Sequence, residues 1–399
     1  MATFKKFEIG NLVERAETWK PSTRPNTEFI YIDLSSIDKE SQAITNAVAT
    51  LGIDAPSRAR QLVAYQDILV STVRPNLNGV AAVSSELDGA TASTGYCVLR
   101  PIKNKLCWRY LYHWVRSPGF VRDMSRKATG ASYPAVPDRI IRESKIPLPI
   151  LEEQKRIAAI LDKADTIRRQ RQDAIELTND FVLSLFVDMF GDPNSNPNGW
   201  DTKSISEFVE SFEGGKNIAT DDAPSVNTKH FILKVSAVTW GEFKPEESKP
   251  VPPDFKPPDS YLVRKGDLLF SRANTTQLVG ATVYVYETPE NLILPDKLWR
   301  VNLSNPRTAN HLYLRYAFGH PAIQAEIGKR ATGTSGSMKN ISKAKLMSMK
   351  MPLPPVKLQD EFAEIVLRHR EHCLNQQAAL QESNDLFSSL VQRAFKGEL

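Results

Sequence analysis

Apolar residues recur every three or four positions from Leu151 to Phe190, with no Pro or Gly until Gly191-Asp192-Pro193. Ile160, Ala164, Ile167, Arg171, Ala174, Thr178, Phe181 and Leu185 follow one another by alternating steps of four and three, the spacing of a coiled-coil seam. A second row, Ile157, Leu161, Ile175, Val182, Phe186 and Met189, widens the stripe. The pattern returns between Lys357 and Phe395, through Phe362, Ile365, Val366, Leu380, Leu386, Phe387, Leu390 and Val391. Each stretch predicts a helix of about 40 residues, roughly 60 Å long. A helix of that length must bury its stripe on something, and the nearest partner is its own repeat. The pattern therefore predicts two long antiparallel helices paired as a coiled coil. Ile160, Ile167, Phe181, Leu185, Ile365, Leu386 and Leu390 are the expected pairing residues. The alternative is that each helix packs only on its own globule. Polar seam positions Arg171, His369 and His372 interrupt the stripe, either to set register or to face a partner.

The longer segments alternate strand-like and helical runs. Phe29–Ile37, Gln61–Val70, Ala281–Tyr286 and Trp299–Leu303 have strand composition, whereas Trp108–Arg116 and His311–Phe318 read as helices. Pro245–Pro258 reads as a surface loop with polyproline character, and Asp192–Trp200 as a linker.

The chain is also written twice. Ile146-Pro147-Leu148-Pro149 returns as Met351-Pro352-Leu353-Pro354, with Gln154 matching Gln359 and Phe190 matching Phe395. Asp67-Ile68-Leu69-Val70-Ser71 resembles Asp267-Leu268-Leu269-Phe270-Ser271, and Lys127-Ala128-Thr129-Gly130 resembles Arg330-Ala331-Thr332-Gly333. The expected class is α+β, a pseudo-two-fold internal repeat ordered globule 1–145, helix 146–191, globule 192–350, helix 351–399.

Charge follows the same division. Residues 1–145 carry 20 basic and 14 acidic side chains, and residues 192–350 carry 20 and 17, so both globules are basic. Residues 146–191 carry 6 and 8, and residues 351–399 carry 5 and 7, so both helices are mildly acidic. Basic globules suit a polyanion, although ordinary surface charge gives the same sum. With 41% hydrophobic and 24% charged residues, the chain is neither a disordered tail nor a fibre. No apolar run reaches membrane-spanning length and no secretory signal is evident. Cys97, Cys107 and Cys373 form no CxxC pair, which fits a reducing cytoplasm.

Catalytic motifs are missing where an enzyme would need them. Phe212-Glu213-Gly214-Gly215 is not a methyl-donor loop, and Gly215-Lys216-Asn217 lacks the parts of a phosphate-binding loop. Asp138, Glu143 and Lys145 only faintly resemble a nuclease set. His369, His372 and Cys373 lie within one helical turn without a fourth ligand and read as seam or surface residues. No metal or cofactor is expected. A binding or scaffold protein is the reading left standing.

Ile146-Pro147-Leu148-Pro149-Ile150-Leu151-Glu152-Glu153-Gln154-Lys155-Arg156-Ile157 closely resembles the conserved-region signature of type I restriction-modification specificity subunits, and Met351–Gln359 is similar to a second copy. Asn198-Gly199-Trp200 with Ile205–Gly215, and Tyr31–Ile37 in the first half, resemble the entry to that family's target recognition domains. The resemblance implies two mixed α/β target recognition domains, each reading half of a bipartite, asymmetric double-stranded DNA target. It implies no catalytic residue. It also implies two methyltransferase subunits docked on the paired helices, with restriction subunits in the larger complex and no membrane. The alternatives are a two-lobed protein scaffold or a stand-alone DNA-modifying enzyme. Expected DNA contacts are Arg74, Asn76, Asn78, Arg126 and Lys127 in the first half, and Arg272, Asn274, Thr275, Lys329, Arg330 and Lys339 in the second.

Overall fold

Short β-branched runs broken by turn residues build the sheets of both halves. The computed structural model describes residues 4–39, 41–179, 181–218, 228–335 and 338–399. It divides into two units, Met1–Ile175 with Gln376–Leu399, and Glu176–Asn375.

In the first unit, an antiparallel sheet runs in the order Val80–Ala82, Ile68–Ser71, Tyr96–Pro101, Val13–Glu14. Its central strands are buried on both faces. Ile68 and Leu99 enter one core with Tyr110 and Leu111, while Leu69 and Val98 enter another with Ile32 and Val63. That division follows from the two-residue period of a strand. A five-stranded sheet adds one parallel pair, Thr91–Ser93 beside Glu28–Ile32. Helices α1 (Trp108–Arg116), α2 (Pro118–Lys127) and α3 (Asp138–Glu143) follow. Lys145–Pro147 then pairs with Lys6–Glu8 and closes the globule before α4 (Leu151–Asn179) begins.

The second unit repeats this plan after α5 (Phe181–Phe190). Its four-stranded sheet has the matching order Thr282–Tyr284, Leu268–Ser271, Leu298–Leu303, Val209–Gly214. Phe231–Leu233 and Leu292–Ile293 make the matching parallel pair. Helices α6 (His311–Gly319), α7 (Pro321–Arg330) and α8 (Lys343–Met347) precede the closing pair of Thr202–Ser204 with Lys350–Pro352. The last helix, α9, runs unbroken from Val356 to Lys396.

Several expectations need correction. Gln61–Val70 is two strands, Ala59–Leu62 and Ile68–Ser71, because Gln66 takes φ 72° and the Asp67 carboxylate accepts the Ala64 amide at 2.8 Å. Phe29–Ile37 stays a strand only to Ile32, where a capping box at Asp33 and Ser36 turns the chain. Part of the proline-rich loop, Ser248–Pro250, is an edge strand, where a proline needs no donor.

The long helices pack together antiparallel within each unit. In the first, Val391 and Ala394 of α9 share a core with Ile157, Ala158 and Leu161 of α4, and Arg168 lies over Phe387. In the second, Phe186 and Phe190 of α5 meet Phe362, and Phe181 meets His369. Burial favours the widening row over the seam: Ile157, Leu161, Val182 and Phe186 are buried, with Ile175 and Met189 half-buried. Ile160, Leu185, Ile365 and Leu390 are half-buried, and Ile167, Phe181 and Leu386 are exposed. The reason is that each helix end walls its own globule as well as touching its partner, so the stripe faces between the two.

Two buried glutamines tie helix to globule. Gln154, 1% exposed, accepts the Cys107 amide at 2.9 Å and donates to the Lys105 and Pro149 carbonyls. Gln359, 0% exposed, accepts the Asn310 amide at 2.9 Å and donates to the Pro354 carbonyl. Cys107 and Asn310 are the N-caps of α1 and α6, where backbone donors lack helical partners. Tyr110 and Tyr313 complete the joint by donating to the Pro147 and Pro352 carbonyls.

The first unit adds ion pairs that, among the described residues, have no counterpart at matching positions of the second. Asp165 on α4 meets Arg116 of α1 at 3.3 Å, together with Arg168 and Arg169. Burial pushes the Asp165 carboxyl up, but the three guanidiniums outweigh it and hold it below the usual range.

Two outcomes follow from these joints. Gln154→Leu should lower unfolding free energy by about 2–4 kcal/mol in a denaturant titration, because the Cys107 amide and two carbonyls are left unmet. Gln359→Leu should cost somewhat less, having two bonds rather than three. A depressed Asp165 contributes stability above the unfolded carboxyl value of about 3.9, and that stability is lost as pH falls through the lower folded value. Asp165→Asn should therefore destabilise at pH 7, on the order of 3 kcal/mol. Its gap to the parent should narrow in acid melts below pH 4; a constant gap would remove the ion-pair account.

Candidate nucleic-acid interface

Each matched strand is anchored at its start by the same ion pair. Arg100 meets Asp67 through Nε at 2.9 Å and Nη2 at 2.8 Å, and donates to the Leu62 carbonyl. Arg300 meets Asp267 at the same two distances and donates to the Leu262 carbonyl. The strands so fixed end at Ser71 and Ser271, whose hydroxyls donate to the Val73 and Ala273 carbonyls and turn the chain.

Each turn is then laid beside the loop that follows α2 or α7. In the first unit Val73 and Thr129 both bridge to Ala135, and the Arg74 amide donates to the Pro134 carbonyl at 2.7 Å. In the second, Ala273–Asn274 pairs with Met338–Asn340, which pairs with Thr332–Ser335. Thus each unit presents a pair of loops carrying basic and amide side chains. Such loops can place donors against phosphates and base edges.

The expected residues occupy different places in this arrangement. Arg74 is exposed, in the left-handed region at φ 49°, with its guanidinium 4.4 Å from the Tyr133 ring centre. Asn76 is exposed on the short turn Pro75–Leu77. Asn78 is half-buried, also at φ 49°, and donates to the Arg116 carbonyl, so it holds the loop down. Arg126 and Lys127 end α2 and share Asp123, leaving net positive charge at the entry to the loop. Arg272 donates to the Asp296 backbone and carboxylate. Asn274 donates to the Thr239 hydroxyl and accepts the Thr275 amide. Lys339 stands opposite Asn274 in the strand register, with its amine on the Gly333 carbonyl. Lys329 and Arg330 end α7 and share Glu326.

Three side chains went unread in the sequence. Tyr133 and Trp240 are each 69% exposed. Trp240 follows Thr239, the partner of Asn274, and Lys39 joins Arg74 in walling one recess. Nothing in their local sequence marks them, because their neighbours come from distant segments.

Other chemistry is not assembled. Among the described residues no group of three or more His, Cys, Asp or Glu could hold a metal ion. Cys373 instead contacts His369 at 3.4 Å. Asp138 and Glu143 sit at opposite ends of α3. Burial pushes the Cys97 thiol up to about 12, as suits a core residue. No described helix is long and apolar enough to cross a membrane.

Comparison with known proteins adds an independent line. The family model for the type I restriction modification DNA specificity domain matches residues 3–177. The chain is 32% identical over 169 residues to the type I restriction enzyme EcoEI specificity subunit of Escherichia coli, covering 42% of this chain and 28% of that protein. It is 27% identical over 324 residues to the EcoKI specificity subunit of Escherichia coli strain K12, covering 76% and 68%. A solved structure described as the structural basis underlying complex assembly and conformational transition of the type I R-M system superposes with a TM-score of 0.67 at 23% identity, covering 100% of this chain and 99% of that one. The chain therefore spans little more than a quarter of the first relative but the full length of the solved fold. With the signature glutamine joint present in both halves, the chain is similar to type I restriction-modification specificity subunits: residues 3–177 match their DNA specificity domain, and the whole chain shares the fold of the solved structure.

Proposed function

We propose that this chain selects the DNA sequence on which a type I restriction-modification complex acts, each unit reading one half of a bipartite target. The observation that carries the reading is a repeated scaffold under unlike loops. The ion pair, turn and glutamine joint recur, while the loops carry Arg74 and Asn76 in one unit and Asn274 and Lys339 in the other. Arginine suits guanine O6 and N7, asparagine suits adenine, and lysine suits phosphate. Unlike loops on one scaffold make the two half-sites differ, hence an asymmetric target. Methyl transfer and cleavage fall to partner subunits. Exposed apolar side chains on the long helices, among them Ile167, Leu183, Val187, Leu367 and Leu374, support docking of two methyltransferase subunits there. The restriction subunits would join through that assembly.

The complex reconstituted with its methyltransferase subunits should bind its target with an affinity that falls linearly on a log–log plot against salt. Salt-insensitive binding would count against phosphate contacts. Inserting one helical turn in α4 and a matching turn in α9 should lengthen the recognised spacer by about one or two base pairs and leave the half-site bases unchanged. Methylome mapping of the insertion variant reads this directly, and an unaltered spacer would defeat the role of the helices as a ruler.

A further inference from the structure

Two arginines, Arg74 three residues past Ser71 and Arg272 one residue past Ser271, stand in different surroundings. Arg272 is 29% exposed at its side chain and bonded to the Asp296 carbonyl and carboxylate, with the Trp299 ring 5.8 Å away. Its backbone also takes part, since the Ile341 amide donates to its carbonyl and its own amide donates to Lys297. Such a guanidinium is already neutralised and fixed, and it joins the two loops of its unit. Arg74 has no carboxylate partner among the described residues. One of its donors reaches the Ser132 carbonyl at 3.2 Å, and the guanidinium rests on the exposed Tyr133 ring. It is held there at a backbone angle that non-glycine residues rarely adopt, kept in place by the hydrogen bond its backbone amide donates to the Pro134 carbonyl. Beside it lies a recess of about 170 Å³ walled by Leu34, Ile37, Leu77, Lys39 and Tyr133.

A planar cation stacked on a ring has lost much of its side-chain freedom before any ligand arrives, so less is lost on binding. Its remaining donors match the paired acceptors of a guanine edge, and the apolar wall beside it suits a thymine methyl or a sugar.

We infer that Arg74, carried on Tyr133, is a guanine-reading residue of the first unit, whereas Arg272 is a scaffold residue that reads no base. This rests on the specificity function proposed above. Base readout in the second unit then falls to other side chains of its loop pair.

The test uses the chain assembled with its methyltransferase subunits and a selection from randomised DNA duplexes. Arg74→Lys keeps the charge but loses the fork. It should erase preference for one guanine in one half-site, by about ten- to a hundredfold, and leave the other half-site untouched. Tyr133→Leu should weaken the same position alone, and Tyr133→Phe should retain it, since the ring face remains. Arg272→Lys should lower the melting temperature and leave every base preference in place. An equal loss across all sequences for Arg74→Lys would make Arg74 a phosphate contact and overturn the proposal, as would a base-specific loss in a fully folded Arg272→Lys complex. A parent complex without any sequence preference would instead overturn the specificity function itself, and the proposal with it.

Discussion

A buried amide side chain at the start of each long helix is the joint on which the architecture depends. Prolines at 147 and 149, and again at 352 and 354, cannot donate from their own nitrogens, yet their carbonyls face the interior. Gln154 and Gln359 take one carbonyl each, Tyr110 and Tyr313 the other. The same glutamines accept from the cap residues of α1 and α6. A single side chain thus meets backbone demand on both sides of the junction. Its amide can both accept and donate, which neither a glutamate nor a leucine could do there. The angle at which a helix leaves its globule is fixed by that double role.

Around this shared joint the units find stability in different ways. The first binds α1 to α4 through carboxylates, Asp162 paired with Arg109 and hydrogen-bonded to His113, and Asp165 paired with Arg116. The second fills the equivalent space with rings, Phe186 and Phe190 against Tyr313, Tyr316 and Phe362. Backbone plan and polar joint persist while the filling changes. Burial of aromatic area and a hydrogen-bonded ion cluster can each hold a helix, but only the ion cluster responds to acid.

The long helices were legible in the sequence because a stripe sustained over many turns leaves few other solutions. The repeat was legible because Pro-Leu-Pro and its glutamine are rigidly spaced. Which row of the stripe is buried was not legible, since that depends on a globule whose position the helix sequence does not state. Strand limits failed where a side chain overrode composition, as Asp67 does by capping the turn at Ala64. The site was least legible. Arg74 and Arg272 both lie just past a matched strand, and Asp296, more than twenty positions on, and Tyr133, nearly sixty positions on, separate their fates. Side chains that act across loops leave no local period to read.

One consequence concerns the order in which the protein is made. The core of the first unit includes Val391 and Ala394, packed with Ile157 and Leu161. On a ribosome those downstream residues emerge roughly 10–50 s after α4 has cleared the tunnel. Through that interval the nascent first unit carries an uncovered apolar face, which makes it a natural client for chaperones. Its folding completes only after the second unit has been synthesised.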